Sequence, residues 1–175
     1  MHDFSAAKDE LADLLHKVRI TRIPATEKIT LAHLMQLYRY DLSEFNDDAL
    51  DASGQFAKYP YFDDYWTDPN RHPFWINLDQ QLVGFALVRE LNVDQYAIAE
   101  FFVLRKYRWL GIGKRAAFHL FRTFSAEWHV AQQAGNIPGQ IFWRKVIADY
   151  TNGHYQEGFS EHQPTGPKQS FRVNG

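Results

Sequence analysis

The sequence predicts a single mixed α/β domain whose central sheet of about seven strands is flanked by helices. The chain has 175 residues, of which 45% are hydrophobic and 16% aromatic, enough to bury one sizeable core. Its apolar periodicity switches repeatedly between strand and helix spacing. Near the middle, an apolar run beginning at Ala97 leads through Gly111 and Gly113 into an amphipathic helix. This order of strand, glycine loop and helix is the feature around which the rest is arranged.

The remaining elements follow from alternation, from helical spacing and from proline and glycine breaks. Strands are predicted at 18–24, 74–78, 82–89, 128–132, 154–159 and 169–173, besides the central one. Helices are predicted at 25–40, 114–124 and 138–150, with a short one near 61–66. The apolar face of the 25–40 helix contains Ile29, Leu31, Leu34, Leu37 and Tyr38. Residues 1–17 are predicted to be an N-terminal helical extension of a domain that spans 18–175.

Composition narrows the function classes. The chain has no cysteine, which excludes disulfides and a cysteine nucleophile. Its eight histidines show no metal-ligand spacing, so we expect no metal site. No apolar run reaches the length of a membrane span, and the first residues do not have the pattern of a signal peptide. We therefore expect a cytoplasmic protein that binds neither membrane nor nucleic acid.

The glycine loop has the chemistry of an anion site. Gly111 and Gly113 let backbone N–H groups converge without interference from Cβ atoms. The helix that follows adds unpaired donors and a partial positive charge at its first turn. The stretch therefore predicts a site for phosphate or pyrophosphate.

Two well-known phosphate loops do not match. The nucleoside triphosphate loop requires Ser or Thr after the lysine, but Arg115 follows Lys114. The dinucleotide fingerprint places its glycines at the first strand–helix turn, whereas three predicted strands precede this loop. It also favours a third glycine, where this chain has Ala116.

The spacing Arg108-Trp-Leu-Gly111-Ile-Gly113 instead matches Gln/Arg-x-x-Gly-x-Gly/Ala. In this the chain resembles the GNAT superfamily of acyl-CoA-dependent N-acyltransferases, although Arg105 stands where the family often has proline. The resemblance implies a mostly antiparallel sheet, acetyl-CoA as co-substrate and a possible homodimer. It also implies the cofactor-binding residues, which are Phe102, Val103, Leu104, Arg108, Trp109, Leu110, Gly111, Ile112, Gly113, Lys114, Asn136 and Trp143.

A second stretch, Asn136 to Lys145, also resembles the family, which often has Asn-x-x-Ala-x-x-Phe-Tyr-x-Lys there. In the family the asparagine contacts the pantetheine arm, and the tyrosine is frequently the acid that reprotonates the thiolate. Here Trp143 replaces that tyrosine, and an indole has no proton that titrates near neutrality. We expect Trp143 to pack against coenzyme A but not to act as the acid.

Glu100 is the candidate general base, because it is the one ionisable residue inside the central apolar run. The alternative is a glutamate that faces solvent or an arginine. Tyr150, two helical turns past Trp143, is the candidate acid, and Tyr155 or water are alternatives.

Between Asp41 and Asp68 the chain carries eight acids and one base, Lys58. This acidic segment is either a solvated surface or an acidic mouth that attracts a cationic amine. In the second case Asp41, Glu44, Asp63 and Asp64 are the candidate acceptor-binding residues.

We therefore predict an N-acetyltransferase that moves an acetyl group from acetyl-CoA to a primary amine of a cationic small molecule or protein. The alternatives are a coenzyme A-binding module without turnover, or a partner-binding protein that uses the N-terminal helix or a strand edge.

Overall fold

The computed structural model describes the backbone of residues 3–174 and the side chains of residues 8–174. The helices are α1 Asp3–His16, α2 Lys28–Leu42, α3 Ile112–Thr123 and α4 Ile137–Thr151, and short 3₁₀ turns lie at Ala25–Glu27, Asp63–Trp66 and Arg105–Tyr107. The strands are β1 Val18–Arg22, β2 Arg71–Leu78, β3 Gln81–Asn92, β4 Gln95–Val103, β5 Glu127–Ala131, β6 Gln156–Ser160 and β7 Gly166–Arg172. Among the residues described, no helix has the length and apolar character that crossing a membrane requires.

The strands form one sheet in the order β1-β2-β3-β4-β5-β7-β6. Every neighbouring pair is antiparallel except β4 and β5, which run parallel. The predicted sheet of seven mostly antiparallel strands is confirmed. The parallel pair is joined through α3, as a parallel connection requires a crossover.

The two faces of the sheet have different coverings. Helices α3 and α4 pack on one face, where Ala117, Phe121 and Ile147 meet Val88 and Trp128. Helix α2 and the 3₁₀ turn Asp63–Trp66 cover the other face, where residues such as Leu31 and Tyr65 meet residues such as Phe85. We call these the α3/α4 face and the α2 face.

Helix α2 buries less of its apolar side than predicted. Leu31 and Met35 are buried, but Ile29 and Leu37 are 71% and 50% exposed. The predicted apolar face is therefore wider than the buried one, which consists of Leu31 and Met35 with Leu34 and Tyr38 packed beside them.

Helix α1 ends against the glycine loop. Leu14 and Leu15 pack on a small buried cluster that includes Val103 and Ile112. A Cβ atom built on Gly111 would lie 3.4 Å from a methyl group of Leu15. The end of α1 is therefore in contact with the start of α3.

Strand β4 carries an irregularity where it leaves β5. In the β3–β4 register Leu87 pairs with Glu100 and Val88 pairs with Ile98, so Ala99 is an extra residue, a β-bulge. The parallel pairing of β4 with β5 ends at Ile98 and Val130. Residues 99–103 therefore continue along β3 without β5 beside them, and the sheet opens there into a cleft.

The packing beside this cleft predicts that Gly84→Ala destabilises the protein. A Cβ atom at Gly84 would lie 2.0 Å from the backbone oxygen of Phe102, so β3 and β4 would have to separate. We expect the free energy of unfolding to fall by roughly 1–3 kcal/mol or more, measured by urea denaturation. Gly158→Ala is the matched control, because a Cβ atom there meets nothing within 4 Å. Equal stability of the two variants would contradict the close approach.

Candidate active site

The glycine loop has two residues in the left-handed region, Trp109 at φ 68° and Gly111 at φ 79°. Alternation of left-handed and right-handed residues turns successive N–H groups toward one point, a nest that binds anions. Gly111 is the N-cap of α3 and provides no side-chain cap, so the first N–H groups of the helix are left for a ligand. These observations fit the predicted pyrophosphate site.

Trp109 is held in an unusual way within this loop. Its side chain is 96% exposed although it is a large aromatic group. A positive φ is unfavourable for a bulky residue and is maintained only where the surrounding loop requires it. The loop conformation is therefore preserved at a cost in local strain.

Arg108 anchors the loop to the end of β4. Its Nε donates a hydrogen bond to the backbone oxygen of Val103 at 2.8 Å, and its Nη2 pairs with Asp41 at the end of α2. Arg105 also donates to Asp41, at 2.8 Å. Asp41, predicted to bind the acceptor, is thus neutralised by two arginines of the loop region.

The second family-like stretch begins α4. Asn136 is the N-cap of α4, and its Oδ1 accepts a hydrogen bond from the Gly139 N–H at 2.9 Å. A Cβ atom at position 139 would lie 2.7 Å from the amide of Asn136, which explains why Gly replaces the Ala of the family pattern. Lys114 joins α3 to α4 through an ion pair with Asp149 at 2.6 Å.

Trp143 and Tyr150 lie in the aromatic core between α4 and the sheet. Trp143 is 7% exposed, and its ring meets Phe101 edge to face at 5.0 Å between centroids. Tyr150 packs edge to face on Phe118 and Phe121. Both side chains belong to the α3/α4 face.

Glu100 projects to the opposite, α2 face. The hydroxyl of Tyr38 donates a hydrogen bond to its Oε2 at 2.6 Å. Burial raises the pKa of Glu100 to about 7, although Tyr38, Tyr59, Arg39 and Arg89 each oppose the shift. The carboxyl group can therefore exchange a proton near neutral pH.

The tyrosines around Glu100 stay protonated. Burial and the adjacent carboxylate raise the pKa of Tyr38 well above its ordinary value, and that of Tyr59 is raised for the same two reasons. Burial, followed by Glu100, raises the pKa of Tyr65 to about 12. These phenols donate to or surround Glu100 but do not release protons at neutral pH.

Sequence reasoning missed the neighbours of Glu100, namely Tyr38, Tyr59, Arg39 and Arg89. Tyr38 was assigned only to the apolar face of a helix, since periodicity does not separate a packed tyrosine from one that holds a carboxylate. Arg39 and Arg89 lie far apart in the chain and have no spacing signature. The β-bulge that brings Glu100 to the α2 face has no recognisable sequence pattern either.

Part of the acidic segment is paired with bases within the chain. Arg39 pairs with Asp48 at 2.7 Å, and Lys58 and Lys28 pair with Asp63 at 2.5 and 3.6 Å. Glu44 is exposed and Asp64 is half-buried. The segment is therefore less negative than its composition suggests.

Two surface cavities lie elsewhere. One of about 280 Å³ lies between α1 and the β2–β3 hairpin, with Leu14, Lys17 and Leu78 in its lining. Another of about 480 Å³ lies beside β7, with His154 and Arg172 in its lining. Within residues 8–174, no group of three or more His, Asp or Glu side chains is arranged to hold a metal ion.

The structure therefore brings together the end of β4, the glycine loop and Asp41. Phe102 joins them, since the Arg108 guanidinium lies 5.8 Å from its ring centroid and Tyr38 packs on the same ring. Glu100 lies next to them on the α2 face. Trp143 and Tyr150 do not meet Glu100, because the sheet separates them.

Comparison with known proteins agrees with this geometry. Residues 34–146 match the model of the acetyltransferase (GNAT) family, while a comparison with curated proteins finds no significant match. An acetyltransferase from Thermus thermophilus is 12% identical with a TM-score of 0.67, covering 90% of this chain and 97% of its own. The ribosomal-protein-S18-alanine N-acetyltransferase of Escherichia coli is 13% identical with a TM-score of 0.58, covering 90% and 95%.

A third solved structure, PaiA N-acetyltransferase from Thermoplasma acidophilum in complex with coenzyme A, is 10% identical with a TM-score of 0.60 and covers 89% of this chain and 99% of its own. At these identities the solved structures support the fold alone, while the family model spans most of the chain. The chain belongs to the GNAT family and is an N-acetyltransferase.

Proposed function

We propose that the protein transfers the acetyl group of acetyl-CoA to a primary amine, with Glu100 as the general base. The observation that carries this proposal is the position of Glu100. It lies on the strand that leads into the glycine loop, at the point where β4 leaves β5, with a pKa of about 7. A base with a pKa near the working pH combines a sufficient deprotonated fraction with useful proton affinity.

The residues present fit a pyrophosphate-containing donor. The N–H groups between Trp109 and Gly113 and the first turn of α3 supply donors of the kind that hold phosphate oxygens. Asn136 lies at the start of α4, the position from which the family asparagine contacts pantetheine. The end of β4 at Phe102 and Val103, which β5 does not pair, and the following residue Leu104 offer backbone groups along the cleft. Bound acetyl-CoA would supply an activated thioester carbonyl.

Glu100 removes the proton that an ammonium must lose before it can attack. The new N–C bond then forms as the C–S bond breaks, and a backbone N–H near Phe102 or Val103 polarises the carbonyl. Tyr38 fixes the carboxylate by donating a hydrogen bond to its Oε2.

Protonation of the departing thiolate is assigned to water. Trp143 lacks a titratable proton, and its burial in the aromatic core supports a packing role. Tyr150 lies in the same core, on the face opposite Glu100, so we leave it out of the mechanism.

The expectation of a cationic acceptor receives partial support. Glu44, just past the end of α2, and Asp64, in the 3₁₀ turn Asp63–Trp66, form no ion pair within residues 8–174, while Asp41 and Asp63 are neutralised by bases of this chain. We propose that the acidic segment attracts the ammonium group itself. A solved structure that shares the fold belongs to an enzyme named for acetylating a protein alanine, so a protein amine is also compatible.

The strand β6 supports the expected homodimer. It forms one edge of the sheet, and Phe159 on it is 61% exposed. An unpaired edge strand with an exposed aromatic side chain is suited to association with a second copy.

The first experiment replaces Glu100 with Gln. If Glu100 is the base, release of free thiol in the presence of an amine should fall roughly 10²–10⁴-fold, because the proton acceptor is lost. Acetyl-CoA affinity, measured by calorimetry, should be unchanged. The matched control is Glu90→Gln, since Glu90 is also a strand glutamate with a tyrosine donor, Tyr96, at 3.3 Å.

Undiminished turnover in Glu100→Gln would remove Glu100 from the mechanism. Acetyl-CoA binding with no turnover on any amine would instead favour a binding module.

The raised pKa of Glu100 also predicts a pH-dependent difference in stability. The folded state holds the proton of Glu100 up to about pH 7, whereas the unfolded state releases it near the ordinary value of 4.5. Wild-type stability therefore loses this contribution as pH rises from about 5 to 8. The variant Glu100→Gln should gain up to about 3 kcal/mol relative to wild type over that range. Urea unfolding at pH 5 and pH 8 measures it, and a pH-independent difference would mean that Glu100 is ionised throughout.

The donor site is tested by Gly111→Trp. Position 111 has φ 79°, which L side chains rarely adopt, and its Cβ would point at Leu15. The substitution should disrupt the nest and abolish micromolar binding of acetyl-CoA in calorimetry. The control is Gly54→Ala, which also has a positive φ, 77°, but has nothing within 4 Å of its Cβ and lies away from the loop. Retained affinity in Gly111→Trp would place the pyrophosphate elsewhere.

A further inference from the structure

Two arginines lie directly opposite each other on the α2 face of the sheet. Arg71 of β2 pairs with Arg89 of β3 in the antiparallel register. Like charges at opposed positions destabilise a sheet unless something between them compensates. This pair is therefore a feature that folding alone does not favour.

The guanidinium groups of these residues keep unused donors. Nε and Nη1 of Arg71 and Nε of Arg89 are buried and have no hydrogen-bond partner among the residues described. Nε of Arg39, a third arginine near Glu100, is also buried without a hydrogen-bond partner among the residues described. A buried charged donor without a partner is costly, so these groups are suited to an acceptor from outside the chain.

Arg71 is held in place by its neighbours. Its guanidinium lies 4.6 Å from the ring centroid of Tyr61 and 5.4 Å from that of Tyr65. Asp68 lies 3.4 Å from its Nε but forms no hydrogen bond with it. The stacked side chain has few alternative positions, so its planar donor fork is prepared for a carboxylate.

The arginine pair and Glu100 share one face and lie close together. Side chains alternate along β3, so Arg89 is on the same side as Phe85 and Leu87, which belong to the α2 face. Leu87 pairs with Glu100, and Arg89 is two residues farther along β3. Two residues of a strand span about 7 Å, a distance that the flexible arginine side chain can shorten.

We propose that the acceptor is an amino carboxylate, such as a free amino acid, whose carboxylate binds Arg71 and Arg89 while its amine faces Glu100. This rests on the proposed function, because it assigns Glu100 as the base. The carboxylate supplies acceptors for the buried N–H groups of Arg71 and Arg89 that have no hydrogen-bond partner among the residues described, and the short separation matches a small zwitterion rather than a long polyamine. The acidic segment attracts the ammonium end, and the arginines select the other end.

The test compares matched acceptors in wild type and Arg89→Gln. The panel contains amino acids, their α-amides and the corresponding amines without a carboxyl group, each assayed for thiol release from acetyl-CoA. Wild type should prefer the acids over their amides by at least about 10-fold in kcat/KM. Arg89→Gln should lower kcat/KM for the acids about 100-fold more than for the amides, whose rates change only through the effect of Arg89 on the pKa of Glu100. Arg89→Lys keeps the charge but loses the paired N–H donors of the guanidinium. Its kcat/KM for the acids should therefore lie between those of wild type and Arg89→Gln.

A binding readout accompanies the assay. The acids, but not the amides, should raise the melting temperature of wild type, and Arg89→Gln should abolish that shift. Arg172→Gln is the control, since it removes a surface arginine paired with Asp94 far along the chain. Circular dichroism of each variant establishes that it folds.

Each other outcome contradicts a specific step. Equal turnover of acids and amides, or turnover only of amines without a carboxylate, overturns the proposal, as does the absence of both turnover and thermal stabilisation with every acid. A change in the pH profile of Arg89→Gln that is the same for acids and amides would mean that Arg89 only tunes Glu100. If wild type does not bind acetyl-CoA in calorimetry, it is the proposed function that fails.

Discussion

The site depends on the single extra residue in β4. Side chains alternate along a strand, and Ile98 belongs to the α3/α4 face. Without the bulge at Ala99, Glu100 would follow Ile98 onto that face, among Phe101, Trp143 and the other rings. The bulge shifts the alternation by one position, so that Glu100 and Phe102 turn to the α2 face and Phe101 remains in the aromatic core. The same irregularity coincides with the end of β4–β5 pairing, which opens the cleft beside Glu100.

Electrostatics around this strand are balanced rather than uniformly acidic. Burial favours the neutral form of Glu100, whereas two tyrosine donors and two arginines favour the ionised form. The resulting pKa of about 7 is the outcome of this competition and is sensitive to each neighbour. On the loop side, Asp41 neutralises Arg105 and Arg108 and joins α2 to the glycine loop. On the α2 face, Arg39, Arg71 and Arg89 keep buried N–H donors without a hydrogen-bond partner in the described part of the chain.

Local pattern was sufficient to predict the order of the elements and the position of the loop. Gly111 requires a positive φ, and a Cβ at Gly113 would press on the ring of Phe142, so both glycines could be recognised from their spacing as parts of the proposed anion site. The apolar run of β4 likewise singled out Glu100, because a lone carboxylate in a buried strand is conspicuous. Register and bulges leave no such trace, and they decide which face a residue occupies. For this reason the sequence did not indicate that Tyr150 and Glu100 project from opposite faces of the sheet, and Tyr38 was counted only as an apolar-face residue.

The division of the sheet into two unlike faces explains how a strained site can persist. The α3/α4 face is a dense core in which Phe121, Trp128 and Ile147 are fully buried. Helix α2 covers the other face through fewer buried contacts, Leu31 and Met35 among them, and tolerates polar groups beside them. Opposed arginines and a buried carboxyl group lower stability, so they persist only when other packing compensates. Placing all of them on the α2 face, with the sheet between them and the α3/α4 core, lets one layer maintain the fold while the other holds the groups that we propose to react.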